Sequence, residues 1–198
     1  MTAWDECQRS GMLQNILHWK NWNNLLDIGC GNGCLLDNIE KRYYRKKLYG
    51  LDKNHSKAIE AHRNNRKVYC GDACNMKIFK DNFFDIVTST GVIEHVKSDK
   101  AMVEEAFRVL KPGGALFLAT VFKERWAWHF YRAPCGWALD PTHVREYVYD
   151  GELLNIMHEA GFVVLSSSRL WTWRHIGPVW FPTFGYYCWE IVAVKGEK

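Results

Sequence analysis

The nonapeptide Leu25-Leu26-Asp27-Ile28-Gly29-Cys30-Gly31-Asn32-Gly33 constrains this chain more than any other segment. A short apolar run of strand character meets three alternating glycines. Helical spacing follows, with Leu35, Leu36 and Ile39 on one face before Arg42. Glycine is needed where backbone must adopt positive φ or approach a ligand closely. The helix beyond would present unpaired N–H groups and positive potential to whatever the loop holds. Spacing narrows the ligand. A dinucleotide site requires G-x-G-x-x-G, but Cys34 stands at the sixth position here, and no phosphate-binding loop lysine is present. Asp27, two residues before the first glycine, would repel a pyrophosphate and attract a cation such as an α-ammonium.

Strands and helices alternate from there. Lys47–Leu51 reads as a second strand ending at Asp52, and Ser56 as the cap of a polar helix running to about Asn65. Val68–Cys70 reads as a third strand with Asp72 at its end, and Phe83–Ser89 as a fourth. Ser98 opens a helix in which Met102, Val103, Ala106, Val109 and Leu110 share a face, and Lys111-Pro112-Gly113-Gly114 ends it. Ala115–Phe122 is a fifth strand. Lys123 to about Tyr149 has no clean period. A helix follows at Asp150–Ala160 with Gly161 as its C-cap, and Phe162–Leu165 begins a sixth strand. Trp171–Tyr186 reads as irregular and leads into a last strand at about Tyr187–Val194. Such βαβ units predict a mostly parallel sheet covered on both faces, and 198 residues suit one domain.

Three acids fall at successive strand ends, the edge where doubly wound sheets bind ligands. Asp52 can accept hydrogen bonds from both hydroxyls of a ribose, and Asp72 from an adenine amine. Ammonium, ribose and adenine without phosphate describe S-adenosylmethionine. At this point the chain resembles the class I, Rossmann-like S-adenosylmethionine-dependent methyltransferases, and within them the broad type 11 group that includes quinone-biosynthesis methyltransferases. Four ordered motifs carry the resemblance: residues 25–33, Gly50-Leu51-Asp52, Gly71-Asp72-Ala73, and Phe84 to Val96 continuing to Phe107–Gly114.

The resemblance implies a doubly wound seven-stranded α/β sheet of order 3-2-1-4-5-7-6, the last strand antiparallel, with helices on both faces. It implies that Gly29, Gly31 and Gly33, with Cys30 and Asn32 between them, approach the methionine moiety. Asp52 and Lys53 would meet the ribose, Asp72 and Ala73 the adenine, and Thr90 and Gly91 the sulfonium. The domain then divides into an N-terminal lid segment (1–23), a cofactor-binding half (24–122) and an acceptor-side half (123–198).

Methyl transfer from a sulfonium needs the nucleophile aligned and water excluded, with a base only for a protonated acceptor. Two candidate bases stand out: His95, just after the fourth strand, and His143. The segment Asp140-Pro141-Thr142-His143-Val144-Arg145-Glu146-Tyr147 resembles a D-x-x-H-x-R-x-Y substrate-loop anchor of the group, in which Asp140, His143, Arg145 and Tyr147 can form a polar network. No Asn-Pro-Pro-Tyr follows the fourth strand, which argues against amide-nitrogen methylation of DNA bases or glutamine. Of 10 Trp, three lie in residues 1–22, none in 23–125 and seven in 126–198. Trp126, Trp128, Tyr131, Trp171 and Trp173 therefore sit where an apolar or aromatic acceptor is chosen. The same residues would also suit packing, a homodimer interface or contact with a membrane surface. Trp4, Trp19 and Trp22 would supply a minimal lid.

Other classes are disfavoured. A net charge of +4 calls for neither DNA nor RNA, and the basic run 41–47 falls at the amino edge of the sheet, away from the cleft. The 7 Cys have no disulfide framework spacing and no C-x-x-C. A four-thiolate site from Cys30, Cys34, Cys70 and Cys74 is weighed against buried free thiols, and no metal is expected. No apolar run is long enough to span a bilayer, and the acidic N-terminus is unlike a signal peptide, which points to the cytoplasm. The leading expectation is a methyltransferase acting on a small acceptor, as a monomer or homodimer. The alternatives are a non-catalytic scaffold that binds S-adenosylmethionine, or a tRNA or protein methyltransferase.

Overall fold

The computed structural model describes residues 10–19, 21–62, 66–127, 131–138, 140–176 and 179–196, with backbone only at 19, 131, 172–176 and 179–184. Its centre is β1 (Asn24–Ile28), whose last four residues are buried. Parallel partners flank it: β2 (Lys47–Asp52) on one side and β4 (Phe84–Thr90) on the other. A strand buried on both faces must be apolar nearly throughout, and Leu25, Leu26 and Ile28 meet that demand. β3 (Arg66–Cys70) pairs with β2, and β5 (Leu110–Lys123) with β4. β9 (Val179–Lys195) then runs antiparallel to both β5 and β8 (Phe162–Ile176). The resulting order, β3-β2-β1-β4-β5-β9-β8, is the one the motifs imply, with the last strand reversed.

Helices cover both faces. One core layer lies under α1 (Gly11–Trp19), α2 (Cys34–Arg42) and α3 (His55–Ala61), where Leu13, Leu36 and Ala58 meet Leu25, Ile86 and Phe117. The other lies under α4 (Asp99–Val109) and α5 (Asp150–Ala160), where Met102, Val103, Leu153 and Met157 meet Leu26, Val87 and Trp189. Ser98 caps α4, its hydroxyl accepting from Ala101 N at 3.1 Å. Gly161 ends α5 at φ 103°, a conformation that disfavours a side chain. Trp22 is 1% exposed and donates from Nε1 to Leu17 O, so it belongs to the core beneath α1 and not to a lid.

Several further expectations change. Asn54, not Ser56, caps α3, accepting from Lys57 N, and that helix stops at Ala61. β3 starts at Arg66, earlier than its apolar residues suggest, because the buried Arg66 is paired with Asp37 of α2 at 2.8 Å. Asp72 lies two residues past β3, where its bridge to Asn75 holds a tight turn. The supposedly irregular 171–186 is a hairpin in which β8 extends to Ile176 and β9 begins at Val179. Register shifts near Val164 and Trp171 break the alternation that would have revealed it. The unpatterned stretch after β5 also contains a small hairpin, β6 (Tyr131–Ala133) with β7 (Gly136–Ala138).

Candidate active site

The glycine loop leaves β1 and is tied at once to the neighbouring strand: Gly29 N and Cys30 N both donate to Leu51 O, at 2.6 and 3.1 Å. Gly29, Gly31 and Gly33 all take positive φ, at 70°, 54° and 87°. At Gly29 a Cβ would lie 2.1 Å from Val92 Cγ2, so a side chain is excluded by the segment after β4. At Gly31 a Cβ would meet nothing within 4 Å, because it would project into open space. Gly33 instead backs onto the protein, its carbonyl accepting from Arg66 Nη1 at 3.1 Å.

That open space is a cavity of about 410 Å³, lined by Gly29, Gly31, Asp52, Lys53, Asp72, Ala73, Gly91, Val92 and His95 among others. A second cavity of about 180 Å³ shares Gly29 and Gly31 and is lined also by Asp27, Cys30, Asn32 and Thr90. The first volume is in the range of small-ligand clefts. Every cofactor-side candidate except Gly33 therefore borders one cavity or the other. Leu51, Lys57, Gly71, Val96 and Lys97 join the lining without having been singled out. Lys57 comes from α3, a helix with no motif to mark it.

Asp52 receives Gly31 N on Oδ2 and Asn54 N on Oδ1, both at 2.8 Å, which fixes its carboxylate at the rim. Asp27 is buried, and Thr88 Oγ1 donates to its Oδ1 at 2.8 Å. Burial raises its pKa to about 7, the Thr88 hydrogen bond works the other way, and the charge of Asp52 adds to the rise. Cys30 packs inward against β2, where a Cβ on Gly50 would come within 2.7 Å of its sulfur, and burial pushes its thiol pKa up.

The segment after β4 carries His95, exposed on the cavity wall. Its Nδ1 lies 3.2 Å from Thr142 Oγ1, and its ring meets His143 edge-on with centroids 4.9 Å apart. His143 is buried, with Nδ1 2.5 Å from Glu146 Oε1. Arg145 donates to the carbonyls of Ile93, Val96 and Lys97 at 2.7, 2.7 and 3.0 Å. Tyr147 is buried and its hydroxyl donates to Asp99 at 3.2 Å, and Asp140 accepts from Thr142 N and Oγ1. The side chains of the four residues of the D-x-x-H-x-R-x-Y stretch thus make no hydrogen bonds to one another, and only the backbone links two of them, His143 N donating to Asp140 O at 3.3 Å. They clamp residues 140–147 onto the wall that carries His95.

Glu146, three residues after His143, is the partner that sequence reasoning missed; its i,i+3 spacing was the available signal. Glu94 is fully buried, Thr120 Oγ1 donates to its Oε2 at 2.9 Å, and its Oε1 has no hydrogen-bond partner among the described residues. Glu94, His95 and His143 bring one donor atom each within 4.8 Å of one another, the one group among the described residues whose donors could hold a metal ion. The cysteines do not gather in this way, and the six described are free thiols.

Among the acceptor-side aromatics, Trp126 is 65% and Trp171 53% exposed, and neither borders these two cavities. Trp4, Trp128 and the side chains of Trp19, Tyr131 and Trp173 lie outside the described residues.

Comparison with known proteins places this geometry. A family profile described as a methyltransferase domain matches residues 26–118. The chain is 26% identical over 171 residues to a ubiquinone biosynthesis O-methyltransferase of Idiomarina loihiensis, covering 82% of this chain and 70% of that protein. It is 27% identical to the mitochondrial ubiquinone biosynthesis O-methyltransferase of Bos taurus, covering 84% of this chain but only 46% of the bovine one. The chain thus spans less than half the length of that relative. Among solved structures, a methyltransferase from Methanosarcina mazei superposes with TM-score 0.71 at 17% identity, over 96% of this chain and 99% of that one. A geranyl diphosphate C-methyltransferase from Streptomyces coelicolor does so with TM-score 0.74 at 14% identity, over 96% and 77%.

Proposed function

We propose that this chain, which belongs to the class I S-adenosylmethionine-dependent methyltransferases of the type 11 group, methylates a small apolar or aromatic acceptor through an oxygen nucleophile. The observation that carries the reading is one cavity lined by Gly31 and Asp52 and also by His95. Its fit to the cofactor rests on that cradle. A methyl group on Gly31 would occupy the cavity, and Asp52 keeps lone pairs for a diol beyond its two amide partners. When bound there, S-adenosylmethionine supplies a methyl group already activated on a sulfonium.

The protein's own residues then bind and orient. Asp52 and Lys53 hold the ribose, and Asp72 and Ala73 the adenine. The 29–33 loop borders the methionine moiety, and ionised Asp27 meets its ammonium. Thr90 and Gly91 border the reacting centre. His95 accepts the proton from the acceptor hydroxyl as the oxygen attacks. It stands on the cavity wall, whereas His143 is buried behind it and bound to Glu146. His143 accordingly positions His95 and does not meet the acceptor. The oxygen nucleophile is supported by that histidine and by the names of the relatives.

The test is incubation with methyl-labelled S-adenosylmethionine and a panel of phenols and catechols, scored by S-adenosylhomocysteine formed. Turnover on at least one hydroxylated aromatic is expected. Cofactor binding with no turnover on any acceptor would favour a non-catalytic scaffold.

A further inference from the structure

The sheet register brings large exposed side chains to one place. β5 is parallel to β4, so its end at Phe122–Lys123 lies on the same edge as Thr90 and the glycine loop. Tyr186 and Tyr187 of β9 pair with Lys123 and Phe122, and Trp171 of β8 pairs with Tyr187, its ring 5.1 Å away. Trp126 follows one turn after β5, where Glu124 N donates to Gly185 O. Trp137, on β7, is held to the same strand end by Lys123 Nζ, which donates to its carbonyl at 2.6 Å. Tyr149 precedes Asp150, the partner of Arg169, and the Arg169 guanidinium lies 3.6 Å above the Phe122 ring. Trp126, Trp137, Tyr149 and Trp171 are 65%, 56%, 64% and 53% exposed, and Leu170 beside them is 39% exposed.

Isolated exposed apolar residues are ordinary, but four aromatic side chains converging on one strand end are not. Charge sharpens the reading. Arg125 and Arg132 are exposed on this rim and make no ion pair with a described residue. The acids nearby are largely engaged: Glu124 and Asp150 by Arg169, Glu146 by His143 and Lys123, and Asp140 by Thr142. Glu152 is the exposed acid behind Tyr149. A rim of tryptophan and tyrosine with unpaired arginines matches the headgroup layer of a membrane, where amphipathic rings settle and cations meet anionic lipid.

We propose that this rim docks the protein on an anionic lipid surface, with the mouth of the cofactor cavity on the same side. The aromatic rings enter the headgroup layer, and Arg125 and Arg132 pair with lipid phosphates. Among the described residues no helix is long and apolar enough to cross a membrane, and the attachment proposed is to the surface. The inference holds for any acceptor, because vesicle binding is read without turnover.

The experiment is sedimentation of the full chain with vesicles of phosphatidylcholine alone and with phosphatidylglycerol added, at low and high salt. Binding to the anionic vesicles, weakened by salt, is expected. Each of Arg125→Gln and Arg132→Gln should weaken it about fivefold. Trp126→Ala combined with Trp171→Ala should weaken it about tenfold or more, while the far-ultraviolet spectrum stays that of the unaltered chain. Equal binding to neutral vesicles, or binding unaffected by these variants, would overturn the proposal. So would concentration-dependent dimers that the tryptophan variants dissolve, since the rim would then be a contact between copies.

Discussion

The two halves of the sheet do different work with different materials. From β1 to β4 the cavity is lined mainly by loop backbone and short carboxylates, held by contacts between neighbouring strand ends such as Gly31 N to Asp52 at 2.8 Å. From β5 onward the distinguishing residues are aromatic, and what holds them spans the sequence: Arg145 reaches carbonyls about fifty positions away, and Ser10 donates to Glu190 across 180. A site built from backbone recognises what every member of a reaction class shares. A site built from side chains can differ from one protein to the next. The contrast predicts that variants in the first half alter cofactor affinity, while those in the second alter turnover, stability or surface binding.

The largest effect should come from the wall between the halves. His95→Ala is expected to lower kcat by about 100-fold or more while S-adenosylhomocysteine binds as before. A loss of cofactor affinity in that variant would break the division. Gly31→Ala comes next. Its methyl group would stand in the cavity, so cofactor affinity should fall by about 10- to 100-fold. The left-handed backbone there costs about 1 kcal/mol with a side chain, visible as a Tm lower by about 2–4 °C.

The acidity of Asp27 gives a smaller effect with a definite sign. With its pKa raised to about 7, the carboxylate that meets the ammonium is largely lost on acidification, so affinity should fall about tenfold between pH 8 and pH 6. Stability runs the other way. The folded state binds the proton more tightly than the unfolded chain, so burial of Asp27 costs stability as pH rises from about 4 to about 7. Asp27→Asn should therefore abolish the pH dependence of binding and raise Tm most above pH 7. Trp126→Ala should be the mildest for the fold, within about 0.5 kcal/mol by chemical denaturation, because most of that side chain is already in solvent.

The same contrast explains what could be read beforehand. The order of the sheet followed from the family resemblance, and the glycines and carboxylates lining its cavities were legible because positive φ and strand-end acids are local demands, met within a few residues. Gly33 is an exception, since its neighbour Arg66 belongs to β3 and left no local mark. The hairpin from Trp171 to Tyr186 was hidden because its register shifts erase the period-two pattern. The partner of His143 was missed because only tertiary packing decides which acid near a histidine turns toward it. Tyr147 was read as part of a polar network in a substrate-loop anchor, yet it is 1% exposed in the core, a matter of how β5 and α4 enclose it.

The most direct test of this account is calorimetric titration of S-adenosylhomocysteine into the Asp52→Ala chain at pH 8. Loss of a carboxylate that fixes the glycine loop and meets the ribose should weaken binding by about 10- to 100-fold, with the far-ultraviolet spectrum unchanged. Affinity equal to that of the unaltered chain would contradict the account, because the cofactor would then not be held where Gly31 and Asp52 meet.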